Sequence, residues 1–130
     1  MAVTPNDNPL ASLSGDLWEI EATIELGDAT EVGFTIRGEP LRYDVKAKQL
    51  SCLGQSAPLE AVDGQIKLHV LVDRASIEIF ANDGRICMCS CFLPDPLNTS
   101  LGLYAKGGTA QVKSLNIWEL QASWPSDPPK

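Results

Sequence analysis

From Leu17 to Leu26 the chain reads LWEIEATIEL, and Trp18, Ile20, Ala22, Ile24 and Leu26 alternate with Glu19, Glu21, Thr23 and Glu25. A period of two sends successive side chains to opposite faces, so this segment predicts a half-buried β-strand. Gly27 and Asp28 turn the chain, Val32, Phe34 and Ile36 repeat the alternation, and the GEP of Gly38 to Pro40 breaks it. Leu41, Tyr43 and Val45 then share one face of a strand while Arg42 and Asp44 take the other. After a turn at KAK, Leu50 and Cys52 belong to a short strand, and Asp63-Gly64 leads into a strand with Ile66, Leu68, Val70 and Val72 on one side. Ser76 to Ala81 and Arg85 to Phe92 follow, joined by the turn NDG at Asn82 to Gly84. Beyond the proline-rich LPDPLN, Leu101, Leu103 and Ala105 continue the pattern, KGG turns, and Ala110 to Leu120 predicts a last strand with a bulge. The tail WPSDPPK cannot be regular.

About ten short strands with frequent turn signals and no helical period are the signature of an antiparallel sandwich or barrel. The fold class expected is all-β, a two-sheet antiparallel β-sandwich of jelly-roll or concanavalin-like type. A chain of 130 residues is one domain's worth. Residues 15–124 are expected to form the sandwich, residues 1–14 (MAVTPNDNPLASLS) a linker or lead-in segment, and residues 125–130 an irregular tail.

The stretch VDRASIEIFANDGRICMCSC sets Asp73, Arg74 and Glu78 in an otherwise apolar run. With Arg74-Ala75 as a two-residue turn, Asp73 pairs with Ser76, Val72 with Ile77, Leu71 with Glu78 and Val70 with Ile79. With Asp83-Gly84 as the next turn, Ile79 opposes Met88 and Glu78 opposes Cys89. Val70, Val72, Ile77, Ile79, Ile86 and Met88 then make a continuous apolar face, which is the core side. Glu78 falls on the other face with Leu71, Phe80 and the cysteines, and His69 lies across from Phe80. A carboxylate on a partly apolar face calls for a partner such as Arg42 or Arg74, or for a hydroxyl-rich ligand. The residues alone leave two readings open: turn residues with a solvated or ion-paired Glu78, or a ligand site.

A net charge of −7 argues against nucleic acid and anionic membranes as partners, because both need clustered cations that ten Lys and Arg spread along the chain do not supply. No apolar run approaches the ~20 residues of a membrane span, and Met1 to Leu10 has neither the basic start nor the apolar stretch of a signal peptide. Of the four cysteines, Cys87, Cys89 and Cys91 alternate along one segment and so share one strand face, too far apart to pair easily. A metal site made of these thiols with His69 is the sharper alternative, but C-x-C-x-C is not zinc-knuckle spacing, and buried thiols are the preferred reading. No metal or other cofactor is expected.

IKLHVLVDRASIEIFANDGRICMCSCFLPDP, together with LWEIEATIEL, LRYDVKAKQLSC, SAPL and LGLYAKGGTAQVKSLNIWELQASW, resembles the C-terminal β-sandwich domain of the family 32 glycoside hydrolases: invertases, levanases and inulinases. The resemblance runs from about Gly15 to Trp124, with V-D-R-x-S-I-E-I-F its most specific part. It implies two packed antiparallel sheets and, elsewhere in a parent enzyme, a catalytic five-bladed propeller as partner. The propeller's motifs are W-x-N-D-P-N-G for the nucleophile, E-C for the acid, and R-D-P. None occurs in this sequence: NDNP at Asn6 to Pro9 lacks the tryptophan and glycine, PDP at Pro94 to Pro96 lacks the arginine, and no Glu precedes a Cys.

Two roles are implied for such a sandwich. One is a structural support packed against the propeller. The other follows from a similarity to family 66 carbohydrate-binding modules, which bind the terminal fructose of levan in a shallow pocket. Fructan binding is the first expectation, with fructan or fructose as ligand and Arg42, Asp44, Asp73, Arg74 and Glu78 as the binding residues. Purely structural packing is second and a generic interaction sandwich third. The aromatic platform common in sugar binders is weak, since Trp18 points with the core side of its strand. Glycoside hydrolysis needs two facing carboxylates and a pocket that distorts a sugar. The pure chain is therefore expected to release no fructose from sucrose, inulin or levan in a reducing-sugar assay, and measurable release would contradict this reading.

Overall fold

In the computed structural model, which describes residues 2–4, 8, 10, 13, 17–73, 75–91 and 98–119, the alternating segments pair into two antiparallel sheets. The strands are β1 (Ala2–Val3), β2 (Trp18–Glu25), β3 (Glu31–Ile36), β4 (Glu39–Asp44), β5 (Gln49–Cys52), β6 (Gln55–Pro58), β7 (Gln65–Val72), β8 (Ser76–Ala81), β9 (Ile86–Cys91), β10 (Leu101–Lys106) and β11 (Ala110–Glu119). Six of them form one sheet in the order β1-β11-β2-β7-β8-β9, and five form the other in the order β10-β3-β4-β5-β6. The expected β-sandwich is thus the observed fold. β6 carries no apolar alternation, which is why the pattern did not announce it. β1, from the stretch read as a lead-in, pairs Ala2 with Gln111 and Val3 with Ala110.

The core is the set of inward positions of both sheets. Trp18, Ile20, Ala22 and Ile24 of β2 are buried, as are Val32, Phe34 and Ile36 of β3, Leu41 and Tyr43 of β4, and Val70, Val72, Ile77 and Ile79 of the β7–β8 hairpin. Tyr43 is the largest fully buried side chain, and its phenol reaches across to donate to the Leu59 carbonyl at 2.6 Å. Burial pushes the Tyr43 hydroxyl above its ordinary pKa, with Glu60 and Asp44 adding to the shift, so it stays a donor.

Both hairpin registers read from the sequence are present. Val72 pairs with Ile77, Leu71 with Glu78 and Val70 with Ile79, while Asp73 N–H donates to Ser76 O at 2.8 Å. Ile79 opposes Met88 and Glu78 opposes Cys89. Asp83 and Gly84 have φ of 60° and 88°, the left-handed pair that a tight hairpin turn requires. Asn82 precedes them at φ 50° and is itself buried. Its side chain accepts from Lys67 N–H (2.9 Å) and donates to Glu60 O (2.8 Å), tying the β8–β9 turn to β7 and to the segment after β6. The expected bulge in β11 lies between Val112 and Ser114. Arg74, Phe92 and Leu120, and the segment 125–130 expected to be an irregular tail, fall outside the described residues.

The cysteines correct one expectation. All four are free, but only Cys52 is buried; Cys87, Cys89 and Cys91 are exposed. β9 is the last strand of its sheet, so its outward side chains have no covering layer, while Met88 takes the inward position. Burial, reinforced by Glu39, raises the Cys52 thiol to about 11. Nor does His69 join the thiols, because the cross-strand row runs Glu21, His69, Phe80, Cys87 and places the phenylalanine between them.

Two outcomes follow from these environments. A thiol-reactive disulfide reagent should modify Cys87, Cys89 and Cys91 rapidly in the native protein and Cys52 only in denaturant. Equal accessibility of all four would refute the burial pattern. Asn82→Ala removes two hydrogen bonds and places alanine in a left-handed conformation, so urea unfolding should show a loss of about 2–3 kcal/mol.

Candidate functional site

A sandwich whose inward positions are filled by apolar side chains can meet ligands only through its outward faces, its turns and its edges. The two outward faces differ in chemistry.

On the five-stranded sheet, one cross-strand row carries Tyr104, Gly33, Arg42, Ser51 and Ser56, and the next carries Lys106, Glu31, Asp44, Gln49 and Pro58. Gly33 has a reason to be glycine. A Cβ there would meet the Leu41 carbonyl oxygen at 2.0 Å, so any side chain would push β3 and β4 apart. No side chain stands between Tyr104 and Arg42 in consequence. Tyr104 Oη donates to Glu31 Oε2 at 2.7 Å, and Lys106 Nζ lies 3.8 Å from the same oxygen and 5.5 Å from the ring centroid. Burial and the bond to Glu31 hold the Tyr104 hydroxyl far above the usual range, against an opposing pull from Arg42. Arg42 is exposed, and among the described residues no carboxylate lies within ion-pair distance of it. It borders a shallow hollow of about 300 Å³ whose other walls include Glu39, Ser51, Gln55 and Ser56. Asp44 is also exposed, with Oδ1 accepting from Ala47 N–H at 3.0 Å to close the turn after β4.

On the six-stranded sheet, the outward positions bring Glu19 and Glu21 of β2 beside His69 of β7, and Asn116 and Trp118 of β11 beside Glu21 and Glu19. His69 Nε2 and Glu19 Oε2 are 2.7 Å apart, and the His69 ring lies against Phe80 with centroids 6.0 Å apart. Glu21, Lys67, His69, Phe80, Ser114 and Asn116 line a groove of about 280 Å³. Glu78 is half-buried farther along this face, between Leu71 and Cys89, with the Cys89 sulfur 3.9 Å from Oε1. Asp73 is exposed at the end of β7.

The five residues expected to bind ligand therefore stand in two groups. Arg42 and Asp44 share the outward face of the five-stranded sheet; Asp73 and Glu78 belong to the β7–β8 hairpin of the six-stranded sheet, and Arg74 lies outside the described residues. At the edge where β6 of one sheet meets β9 of the other, Gln55 Nε2 donates to Cys89 O at 3.3 Å. Sequence reasoning missed Trp118, which is 45% exposed. Counted straight from Ala110 and Val112, it shares their inward parity; the bulge after Val112 reverses that parity and turns it outward. The missed cluster of Glu19, Glu21 and His69 was visible only as outward positions of two strands whose pairing had not been assigned.

Comparison with known proteins gives a consistent picture. The family described as "Glycosyl hydrolases family 32 C terminal" matches residues 2–119. A levanase of Bacillus subtilis is 35% identical over an alignment that takes in 98% of this chain and 22% of the levanase, so the chain spans about a fifth of that relative. The exo-inulinase of Aspergillus awamori superposes with a TM-score of 0.81 at 17% identity, over 95% of this chain and 28% of the inulinase. The carbohydrate binding module CBM66 from Bacillus subtilis superposes with a TM-score of 0.63 at 17% identity, over 83% of this chain and 78% of the module. At such identities the two superpositions speak for the fold.

Proposed function

The chain belongs to the C-terminal domain family of the family 32 glycosyl hydrolases, which is noncatalytic, and from that premise we propose that it holds terminal fructosyl units of levan-type fructans for a fructan-active enzyme. The observation that carries the proposal is Arg42: an exposed guanidinium without a carboxylate partner among the described residues, at the rim of a shallow hollow that also presents Ser51, Ser56, Gln55 and Glu39. A fructosyl unit offers mainly hydroxyls, and a guanidinium fork beside a carboxylate and two serine hydroxyls supplies both donors and acceptors for them. Asp44 joins this site through its carboxylate, which holds the adjacent turn and has lone pairs left for a sugar hydroxyl. The levanase relative and the superposition on a carbohydrate-binding module support the same reading. Asp73 and Glu78 make the competing position on the six-stranded sheet.

A second reading has its own observation. Trp118 is a large exposed aromatic on β11, the kind of surface a neighbouring domain covers, and most of the levanase relative lies outside the part this chain matches. On that reading the sandwich packs against a catalytic propeller and binds no sugar.

Calorimetric titration of the chain with levan, inulin and sucrose separates the two. Levan binding is expected in the parent, with Arg42→Ala weakening it about tenfold or more through the loss of charge-assisted hydrogen bonds. Glu78→Ala, on the other sheet, should bind as the parent does. If Glu78→Ala loses affinity and Arg42→Ala keeps it, the site belongs to the six-stranded sheet. A parent that binds no fructan would overturn the function and leave the structural role.

A further inference from the structure

We propose that Glu19, Glu21 and His69 form a binding site for one divalent transition-metal ion of the zinc type on the outward face of the six-stranded sheet. Strand geometry assembles it. Glu19 and Glu21 are two residues apart on β2 and so share a face, and Glu21 lies directly opposite His69 in the β2–β7 ladder, with Glu19 one diagonal step away. One donor atom from each residue lies within 4.8 Å of the other two, and His69 Nε2 already touches Glu19 Oε2 at 2.7 Å. With zinc bonds of about 2.0–2.2 Å, donor atoms in a tetrahedral site stand about 3.3–3.6 Å apart. Closing the set around an ion needs only small rotations at the tips of half-exposed side chains, while contact with Phe80 steadies the imidazole from its far side.

Charge and donor type select the ion. Two carboxylates and a neutral imidazole carry −2, which a divalent cation cancels. The neighbouring cations are committed elsewhere, Lys67 to Asp83 at 3.5 Å and Lys113 to Glu25 at 3.8 Å. An imidazole nitrogen beside carboxylate oxygens suits zinc and its first-row neighbours, whereas calcium and magnesium favour oxygen-only shells. His69 binds through Nε2 with its ring proton on Nδ1, and partial exposure leaves the fourth position to water. The ion joins β2 to β7, the two central strands of the sheet. This site does not depend on sugar binding.

The exposed thiols of β9 also attract zinc, so the test uses the full chain with Cys87, Cys89 and Cys91 all replaced by serine. Titration with zinc chloride by calorimetry should show one equivalent bound and a raised melting temperature. Cobalt(II) should give ligand-field bands without a thiolate charge-transfer band. In that background His69→Ala and Glu21→Gln should each weaken zinc binding at least tenfold, and calcium and magnesium should not compete. Glu21 is exposed, so its variant keeps the test valid should His69→Ala fail to fold. Absence of stoichiometric zinc binding, undiminished binding in Glu21→Gln, or calcium binding as tightly as zinc would each overturn the proposal.

Discussion

Everything in this structure depends on burying one side of each long strand against the facing sheet. Ile20, Phe34, Ile36, Leu41, Leu50, Ile66, Val70 and Ile77 show no exposed surface, and they come from six strands of both sheets. Apolar area removed from water on this scale is the main force available to a domain built of strands, at about 25 cal/mol per Å². It also fixes register, because a slip of one residue would send a whole inward set into solvent. The polar exceptions inside are tied down: Tyr43 donates to Leu59 O, Asn82 bonds Lys67 and Glu60, and the buried Arg37 donates through Nε to Asn98 O. An inward polar group without such a partner would cost more than it contributes.

The same constraint explains what could be read from the sequence. Alternation separates inside from outside, and turn residues set hairpin register, so Val72–Ile77 and Ile79–Met88 were legible before any coordinates. Alternation does not say which sheet a strand joins. β4 presents Arg42 and Asp44 outward and the β7–β8 hairpin presents Glu78 outward, yet they belong to different sheets, and Arg42 is separated from Glu78 for that reason alone. The thiols of β9 were misjudged by a different route. Free cysteine is a buried residue on average, but β9 closes its sheet, and its outward side faces water whatever the residue type. Trp118 escaped notice because one bulged residue reverses the parity of everything after it.

The two outward faces do different electrostatic work. On the five-stranded sheet, Glu31 is shared by Tyr104 and Lys106, and among the described residues Arg42 has no carboxylate partner and stands beside hydroxyls and amides. On the proposed function that surface would take a neutral polyol, which needs many directed hydrogen bonds and no net charge. On the six-stranded sheet, the outward positions carry Glu19, Glu21 and Glu78, in a chain already carrying −7. The proposed metal site draws on that excess of negative charge. A sugar needs complementarity of donors and acceptors, whereas an ion needs charge and converging ligands, and one sandwich can offer each on a separate side.

Separation of the two surfaces from the core has a consequence for how the molecule can change. Outward residues such as Arg42, Glu21 and Cys89 contribute little to the buried cluster, so substitutions there alter surface chemistry with small effects on stability. Inward residues are bound to their neighbours by close packing, and enlarging or shrinking them disturbs both sheets at once. Gly33 belongs to neither class. It is buried in the middle of an outward row, and its missing side chain lets β3 approach β4 while keeping the space between Tyr104 and Arg42 open. A larger residue there would disturb strand pairing and surface chemistry together, which makes Gly33 the point where the packing of this sandwich and the shape of its outward face are joined.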